Sequence, residues 1–278
     1  MNPVANARWR TPWRSAGGRR ESRSPDYITI RGVSDPLPSG TVVVLRDDPD
    51  LQVLLLERSA RDGQPGLWVF PGGKVDAGDR RSGAAPADDA RRAAVREAAE
   101  EAGLVLDPFS LVEISRWITP ELAPKRFDTW FFATRAPANG AVRVDGAEIA
   151  GHRWITPPAA LRAHHERALR LAPPTFVTVT WLAEFEKAVE ALRVLPARRP
   201  EPFRPRIHRI DAGACMLYPG DAGYDSGDLE AAGARHRLWA AVDPWRYERT
   251  QAAEGRRARV SRSEPQASED HELGERSS

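Results

Sequence analysis

One cysteine in 278 residues, Cys215, excludes an intrachain disulfide and leaves no cysteine cluster for zinc. The single thiol reads as a buried small apolar residue and fits a reducing cytoplasm. Lysine is nearly missing. Only Lys74, Lys125 and Lys187 occur among 41 basic residues, so arginine carries the positive charge. An excess of either sign is missing too, since 41 Lys and Arg against 39 Asp and Glu leave a net charge of +2. That balance gives no overall case for nucleic acid or a membrane surface as partner. No apolar run approaches the roughly 18–20 residues of a membrane helix. Arg8, Arg10 and Arg14 have no apolar segment behind them, so the N-terminal stretch does not read as a secretory signal. Internal repeats are absent as well.

What is present divides the chain into four parts. Residues 1–35, rich in Arg, Ser and Pro, read as a disordered basic arm, and 251–278 as a disordered tail. Core-type residues concentrate in 36–195, the main domain. After Pro196 a proline-rich linker leads into 196–250, an extension predicted to pack on that domain as a few strands, being too small to stand alone. Within the main domain, Thr41–Arg46 and Leu51–Arg58 flank the turn "DDPD" as a hairpin, and Leu67–Phe70 is a short strand. Residues 74–85 read as a loop. A helix is predicted from about Pro86 to Ala102, with Pro86 in its first turn, Asp88 and Asp89 at its positive end, and Gly103 as its stop. Its apolar stripe is read as Val95, Ala98, Ala99 and Ala102. Further strands are expected at Phe109–Ile118, Arg126–Thr134, Ala141–Val144 and Ala147–Trp154. A second long helix is expected at Thr175–Leu192, and 157–171 is expected to be helical in parts.

The helix end breaks local rules. "REAAEEAGL" puts Glu97, Glu100 and Glu101 at the negative end of the helix dipole. Glu97 and Glu101, four apart, repel by roughly 0.2–0.5 kcal/mol. Arg96 offsets Glu100, but one arginine cannot neutralise three glutamates. Helical spacing turns the three carboxylates toward one spot within roughly 6 Å. Gly72 and Gly73, directly after a strand, let backbone approach a ligand closely. Oxygen-only clusters suit hard cations, and Mg²⁺ prefers one or two carboxylates completed by water and phosphate. The pattern therefore points to a divalent cation that grips a polyphosphate, with one glutamate free to act as general base.

"GGKVDAGD…REAAEEAGL" resembles the box of the Nudix family, G-x5-E-x7-R-E-U-x-E-E-x-G-U with U aliphatic. Gly73, Arg96, Glu97, Glu100, Glu101, Gly103 and Leu104 fall on its fixed positions. Asp79 replaces the first glutamate, sixteen residues instead of seven separate it from Arg96, and small Ala98 fills the aliphatic position. The extra nine residues fall mainly in the loop before the helix. A lengthened box is similar to the subgroup that includes peroxisomal coenzyme A diphosphatases and their bacterial relatives. "LLLERSARDGQPGLWVFPGG", "WITPELAPKRFDTWFF", "PPT" at Pro173–Thr175, "YPGDAGY" and "RHRL" resemble that subgroup too, so the likeness spans roughly Pro38 to Trp245. The coenzyme A signature is partly met: Leu54, Leu55, Arg58 and Ser59 match, whereas Leu56 replaces a threonine and Gly63 a later arginine.

The resemblance implies an α+β fold, the Nudix α/β/α sandwich, a mixed sheet between helices with a short C-terminal extension. It implies Mg²⁺ or Mn²⁺ held by Glu97, Glu100 and Glu101 with the carbonyl of Gly73 or Gly72. Glu148 is a further ligand or base, so Glu97, Glu100, Glu101 and Glu148 form the catalytic set. Arg58 and Arg126 are read as substrate-binding, and Asp128 as half of a surface ion pair. Gly72, Asp79, Arg96 and Gly103 serve the box structurally, and loop 74–85 is a candidate pocket wall. The implied reaction cleaves a diphosphate bond in a nucleoside diphosphate derivative, with coenzyme A or acyl-coenzyme A leading. ADP-ribose, NADH or a damaged nucleotide, or a silent nucleotide-binding domain, are the alternatives. A homodimer is the assembly that analogy offers. Trp117, Trp130 and Trp154 read as core, and His164, His165 and His236 carry no assigned chemistry.

Overall fold

In the computed structural model the described residues are 35–250, except 63, 122, 199–201, 212, 242 and 243. The arms expected at 1–35 and 251–278 lie outside them, save Asp35. Strand β1 (Leu37–Asp47) organises a nine-stranded sheet. Its second half pairs antiparallel with β2 (Leu51–Arg58), Leu45 opposite Val53, closing the hairpin the sequence announces. Its first half pairs with β4 (Gly72–Lys74), Gly40 opposite Gly73. Along its other edge it runs parallel to β6 (Phe127–Arg135). The path is completed by β3 (Leu67–Val69), β5 (Val112–Ile118), β8 (Arg170–Leu171) and β9 (Pro202–Phe203), with β7 (Ile149–Ile155) along β2.

Alternation along the strands gives the sheet two buried faces. Val42, Val44, Leu54, Leu56 and Phe132 pack under helix α1 (Pro86–Ala102). Val43, Leu45, Val53, Leu55 and Phe131 join the core that takes in residues of α2 (Pro157–His165), α3 (Pro173–Leu182) and α4 (Ala188–Val194). The result is the expected sandwich of helices around a mixed sheet. Helix α1 has the predicted bounds. Gly103 adopts φ 67°, and the N–H groups of Gly103 and Leu104 close the last turn on Ala99 and Ala98 at 3.0 Å. The buried stripe is rotated from the predicted one: Ala90, Ala93, Ala94, Ala98 and Ala102 are buried, Val95 is half-buried and Ala99 is exposed. A row of methyl groups lets α1 ride close on β1, and Gly40 completes the approach. A Cβ there would lie 1.8 Å from the Ala90 carbonyl oxygen.

Four expectations about elements need correction. Residues 141–144 form no strand, because the Arg143 N–H donates to the Ala102 carbonyl (2.8 Å) and closes the end of α1 instead of joining a ladder. The helix expected at Thr175–Leu192 is two helices. The chain tightens after Leu182, and Asp47 Oδ1 accepts the Ala188 N–H (2.8 Å) to start α4. β5 begins at Val112 because Pro108–Ser110 form a 3₁₀ turn capped by Asp107. β4 lies where only a glycine turn and the start of a loop were expected.

Residues 206–250 add an antiparallel sheet: β10 (Arg206–Ile210), β11 (Gly213–Leu217), β12 (Arg235–Ala241) and β13 (Arg246–Thr250). Tyr218 and Leu238 belong to the main core. Trp117 of β5 stacks on Phe203 at 3.9 Å and meets Tyr218 edge-on at 5.6 Å. The linker between α4 and this sheet thus anchors through an aromatic cluster on the same sheet face as α3 and α4.

Candidate active site

The site forms where β4 runs beside the C-terminal half of α1. The Pro71 carbonyl accepts the Val42 N–H, which fixes the strand end next to β1. Glu101 is only 6% exposed, and its Oε2 accepts the Gly72 N–H at 2.9 Å. Glu97 occupies the space that a side chain at position 73 would fill: a Cβ on Gly73 would sit 2.1 Å from Glu97 Oε1. Gly73 therefore makes room for the Glu97 carboxylate, whereas Gly72 makes room for β1, where a Cβ would stand 2.6 Å from the Gly40 carbonyl oxygen. Burial pushes the Glu101 carboxyl up to about 8, against the pull of the Gly72 N–H; the Glu97 and Glu148 charges push further up and Arg58 opposes them. Glu97 is raised by burial, against Arg96, with Glu100 and Glu148 adding to the rise.

Arg96 is the hub of the loop before the helix. It donates to Asp79 Oδ2 (3.0 Å), Glu97 Oε1 (3.0 Å), Glu100 Oε2 (2.8 Å) and the Lys74 carbonyl (2.9 Å). Asp79 is 5% exposed and also accepts the Asp76 N–H at 2.9 Å. The shorter acid thus reaches Arg96 in spite of the lengthened spacing. Glu100 is the outermost of the three carboxylates: its side chain is 57% exposed, and its Oε2 shares the Arg96 Nη1 with Glu97 Oε1, at 2.8 and 3.0 Å. Glu101 instead turns to the Gly72 N–H.

Glu148, exposed at the start of β7, is brought alongside because the Ser59 N–H donates to its carbonyl (2.8 Å) and Ser59 Oγ to the Ala147 carbonyl (2.6 Å). Asp145, passed over in the sequence, holds that turn by accepting the N–H groups of Ala147, Glu148 and Ile149 at 3.0–3.2 Å. The signal was the Asp-Gly turn pair in "DGAEI". Arg58, at the end of β2, acts electrostatically on Glu101. Arg126 is elsewhere. It adjoins Leu37 and donates to the Thr119 carbonyl, while Gly72 pairs with Thr41, four residues or roughly 13 Å along β1. Asp128 pairs with Arg116 through two contacts, 2.7 and 2.5 Å. Val75, Arg80 and Ala84 of loop 74–85 line a cavity of about 320 Å³ with Asp128 and Trp130, and its lining includes none of Glu97, Glu100, Glu101 and Glu148.

Among the described residues no three His, Cys, Asp or Glu side chains stand close enough to hold a metal ion between them. The donor chemistry still fits one. Two oxygen-only carboxylates, Glu101 buried and Glu97 half-buried, both at raised pKa and laid against a Gly-Gly backbone, match a cation that takes one or two carboxylates and leaves its other positions to water and phosphate.

A mixed sheet between helices, with a glutamate helix end packed on a Gly-Gly strand, defines a class of phosphate-anhydride hydrolases. Residues 36–175, half of the chain, match the family described as NUDIX domain. The chain belongs to the Nudix family. It is 30% identical over 120 residues to the acyl-coenzyme A diphosphatase NUDT19 of Xenopus laevis, a match covering 41% of this chain and 32% of that protein. With NUDT19 of Homo sapiens it shares 27% identity, covering 64% of this chain and 74% of that protein. The chain thus spans about a third of the frog relative's length and three quarters of the human one's. The crystal structure of a NUDIX hydrolase from Alicyclobacillus acidocaldarius superposes with a TM-score of 0.53 at 25% identity, covering 59% of this chain and 98% of that one. No helix among the described residues is long and apolar enough to cross a membrane.

Proposed function

We propose that this protein is a Mg²⁺- or Mn²⁺-dependent pyrophosphohydrolase that cleaves the diphosphate bond of a nucleoside diphosphate derivative, with coenzyme A or an acyl-coenzyme A as its leading substrate. The observation that carries this is half-buried Glu97 beside buried Glu101 on the Gly72–Gly73 backbone, with Glu101 pushed up to about 8. A cation there would relieve the repulsion that burial imposes. Glu97, Glu101 and the Gly73 carbonyl would hold it, with Glu100 available on the exposed side of Arg96. The cation supplies charge neutralisation for the phosphates.

The protein's own groups do the rest. Glu148, exposed and close enough to influence both Glu97 and Glu101, accepts the proton of the attacking water. Water oxygen bonds to one phosphorus, the bridging P–O bond breaks, and two phosphomonoesters leave. Arg58 offers positive charge to the diphosphate from the β2 end. The likeness to the acyl-coenzyme A diphosphatases and the partial coenzyme A signature support the substrate. The lone buried thiol supports a reducing cytoplasm as the compartment.

A panel of coenzyme A, acyl-coenzyme A, ADP-ribose, NADH and oxidised nucleotides, each with and without Mg²⁺ or Mn²⁺, tests the reading by mass spectrometry. The expected products are 3′,5′-ADP and a phosphopantetheine. Preferential cleavage of ADP-ribose or NADH would move the substrate. Tight binding of all without turnover would replace hydrolysis by nucleotide sensing.

A further inference from the structure

The residues that lengthen the box lie beside the glutamate site. Their ends are tied by a side chain at a position that the box pattern leaves free. Arg92 sits on α1 one turn before Arg96. Its Nε donates to the Asp79 carbonyl at 2.5 Å, and its Nη2 pairs with the Asp89 carboxylate. Asp89, with a side chain 14% exposed, accepts the Arg81 N–H at 3.2 Å as well. Arg81 in turn donates to the Gly78 carbonyl at 2.8 Å. Two side chains, Arg92 and Asp89, therefore fasten both the start of the loop segment and the first turns of α1.

This fastening continues into the site. Asp79, held at its carbonyl by Arg92, gives its carboxylate to Arg96. Arg96 then grips the Lys74 carbonyl and Glu97. Lys74 follows Gly73, whose missing side chain makes the space for Glu97. An aspartate is one methylene shorter than the glutamate it replaces, so a small drift of the loop would take it out of reach of Arg96. The forked guanidinium of Arg92 meets a carbonyl and a carboxylate together, which a lysine ammonium on a flexible stem does less well.

We propose that Arg92 is a positioning residue for the hydrolysis: it clamps the lengthened loop so that Asp79 stays on Arg96 and Gly73 stays in register with Glu97. This rests on the metal-dependent reading above. Arg92 touches neither substrate nor cation; it acts through Asp79 and Arg96.

The test compares the full-length protein with Arg92→Met, Arg92→Lys and, as a surface control, Arg193→Met. Three readouts are taken: steady-state kinetics against Mg²⁺ concentration, binding of Mn²⁺ alone by electron paramagnetic resonance, and amide hydrogen exchange over residues 72–85. Arg92→Met should raise the half-saturating Mg²⁺ and the Mn²⁺ dissociation constant at least fivefold. It should lower kcat at least tenfold with KM for the diphosphate within threefold, and speed exchange across the loop. Arg92→Lys should recover part of each effect, and Arg193→Met should match the wild type. A folded Arg92→Met with wild-type Mg²⁺ dependence, Mn²⁺ affinity and loop exchange overturns the clamp. If the wild type hydrolyses nothing on the panel, exchange alone decides: faster loop exchange in Arg92→Met upholds the clamp while the hydrolase reading fails, and unchanged exchange sinks the clamp. If Arg92→Met does not fold, Asp89→Asn releases the same guanidinium from one partner and is judged by the same criteria.

Discussion

At the scale of single residues, the decisive group is Glu101, because the proposed cation and its absence would demand opposite charge states of it. In the metal-free protein burial pushes its carboxyl up to about 8 from an ordinary 4.5. The folded state therefore holds a proton that the unfolded state has released, and stability falls as pH rises from about 4.5 through about 8. Glutamine keeps an acceptor for the Gly72 N–H but has nothing to ionise. With chelator present, Glu101→Gln should be more stable than the wild type at pH 9 by on the order of 2 kcal/mol, the difference shrinking to near zero at pH 4.5. Urea unfolding at the two pH values checks this. The same substitution should cut kcat by roughly 100-fold or more, the scale of losing one electrostatic stabiliser of the reacting charge. Parallel stability curves for the two proteins across pH would mean that Glu101 is solvated and the buried pair is not strained. Full turnover in the variant would remove it from the cation's shell.

The element that delivers this residue is α1, and its seating depends on Gly40, thirty-two positions before Gly72. Gly40 faces backbone, not a movable side chain: an added Cβ would stand 1.8 Å from the Ala90 oxygen and 3.1 Å from the Ala94 nitrogen. Gly40→Ala must lift α1 from β1, at a cost of about 1–3 kcal/mol or more. Because the lift moves Glu97 and Glu101 away from β4, activity should fall beyond what the folded fraction explains. Gly78→Ala, with nothing within 4 Å of its added Cβ, should change stability by less than about 0.5 kcal/mol. Thermal unfolding beside initial rates at low temperature separates the two variants. The bounds of α1 were legible because Pro86, the first-turn aspartates and Gly103 are local signals, and so were the glutamates and the paired glycines they meet. The rotation of its apolar stripe was not, since alanines occur on both faces and only contact with Gly40 selects one. Residues 141–144 carry a strand's alternation but spend an N–H on the end of α1. The break between α3 and α4 is set by Asp47, some 140 residues away in sequence. Strand register likewise decides how far each arginine stands from Gly72: Arg126 falls at the far end of β1, whereas the charge of Arg58 acts on Glu101.

For the molecule as a whole, the question is what fastens residues 202–250 to the sheet that carries the site. Aromatic stacking on Trp117 supplies area, and a buried ion pair shapes the segment between β11 and β12. The side chains of Arg237 and Asp221 are 1% and 0% exposed and meet at 2.6 and 2.8 Å. Asp221 also accepts the N–H groups of His236 and Gly223, and Arg237 donates to the Leu229 carbonyl at 2.7 Å, so each member is well satisfied. Burial alone would raise the Asp221 carboxyl, but Arg237 and the two N–H groups win and hold it at about 2. A depressed folded value means stability that is fully present above the unfolded value near 3.8 and is lost as pH falls toward about 2. That loss amounts to about 2–3 kcal/mol. Asp221→Asn leaves Arg237 buried without its counter-charge and should cost about 3–5 kcal/mol at pH 7, since breaking a buried pair strands the remaining charge. It should also flatten the acid limb between pH 3.8 and 2, because no depressed carboxylate remains to be protonated there. Rates per folded molecule measured well below the transition should stay near those of the wild type, because no contact of Asp221 reaches Glu97, Glu101 or Glu148 directly. Calorimetry at pH 7 and pH 2.5 with parallel rate measurements tests both halves. If the variant unfolds like the wild type at both pH values, the pair is not what holds the segment. If its rates collapse while it remains folded, the C-terminal sheet contributes to catalysis in a way that the geometry of the glutamate site does not contain.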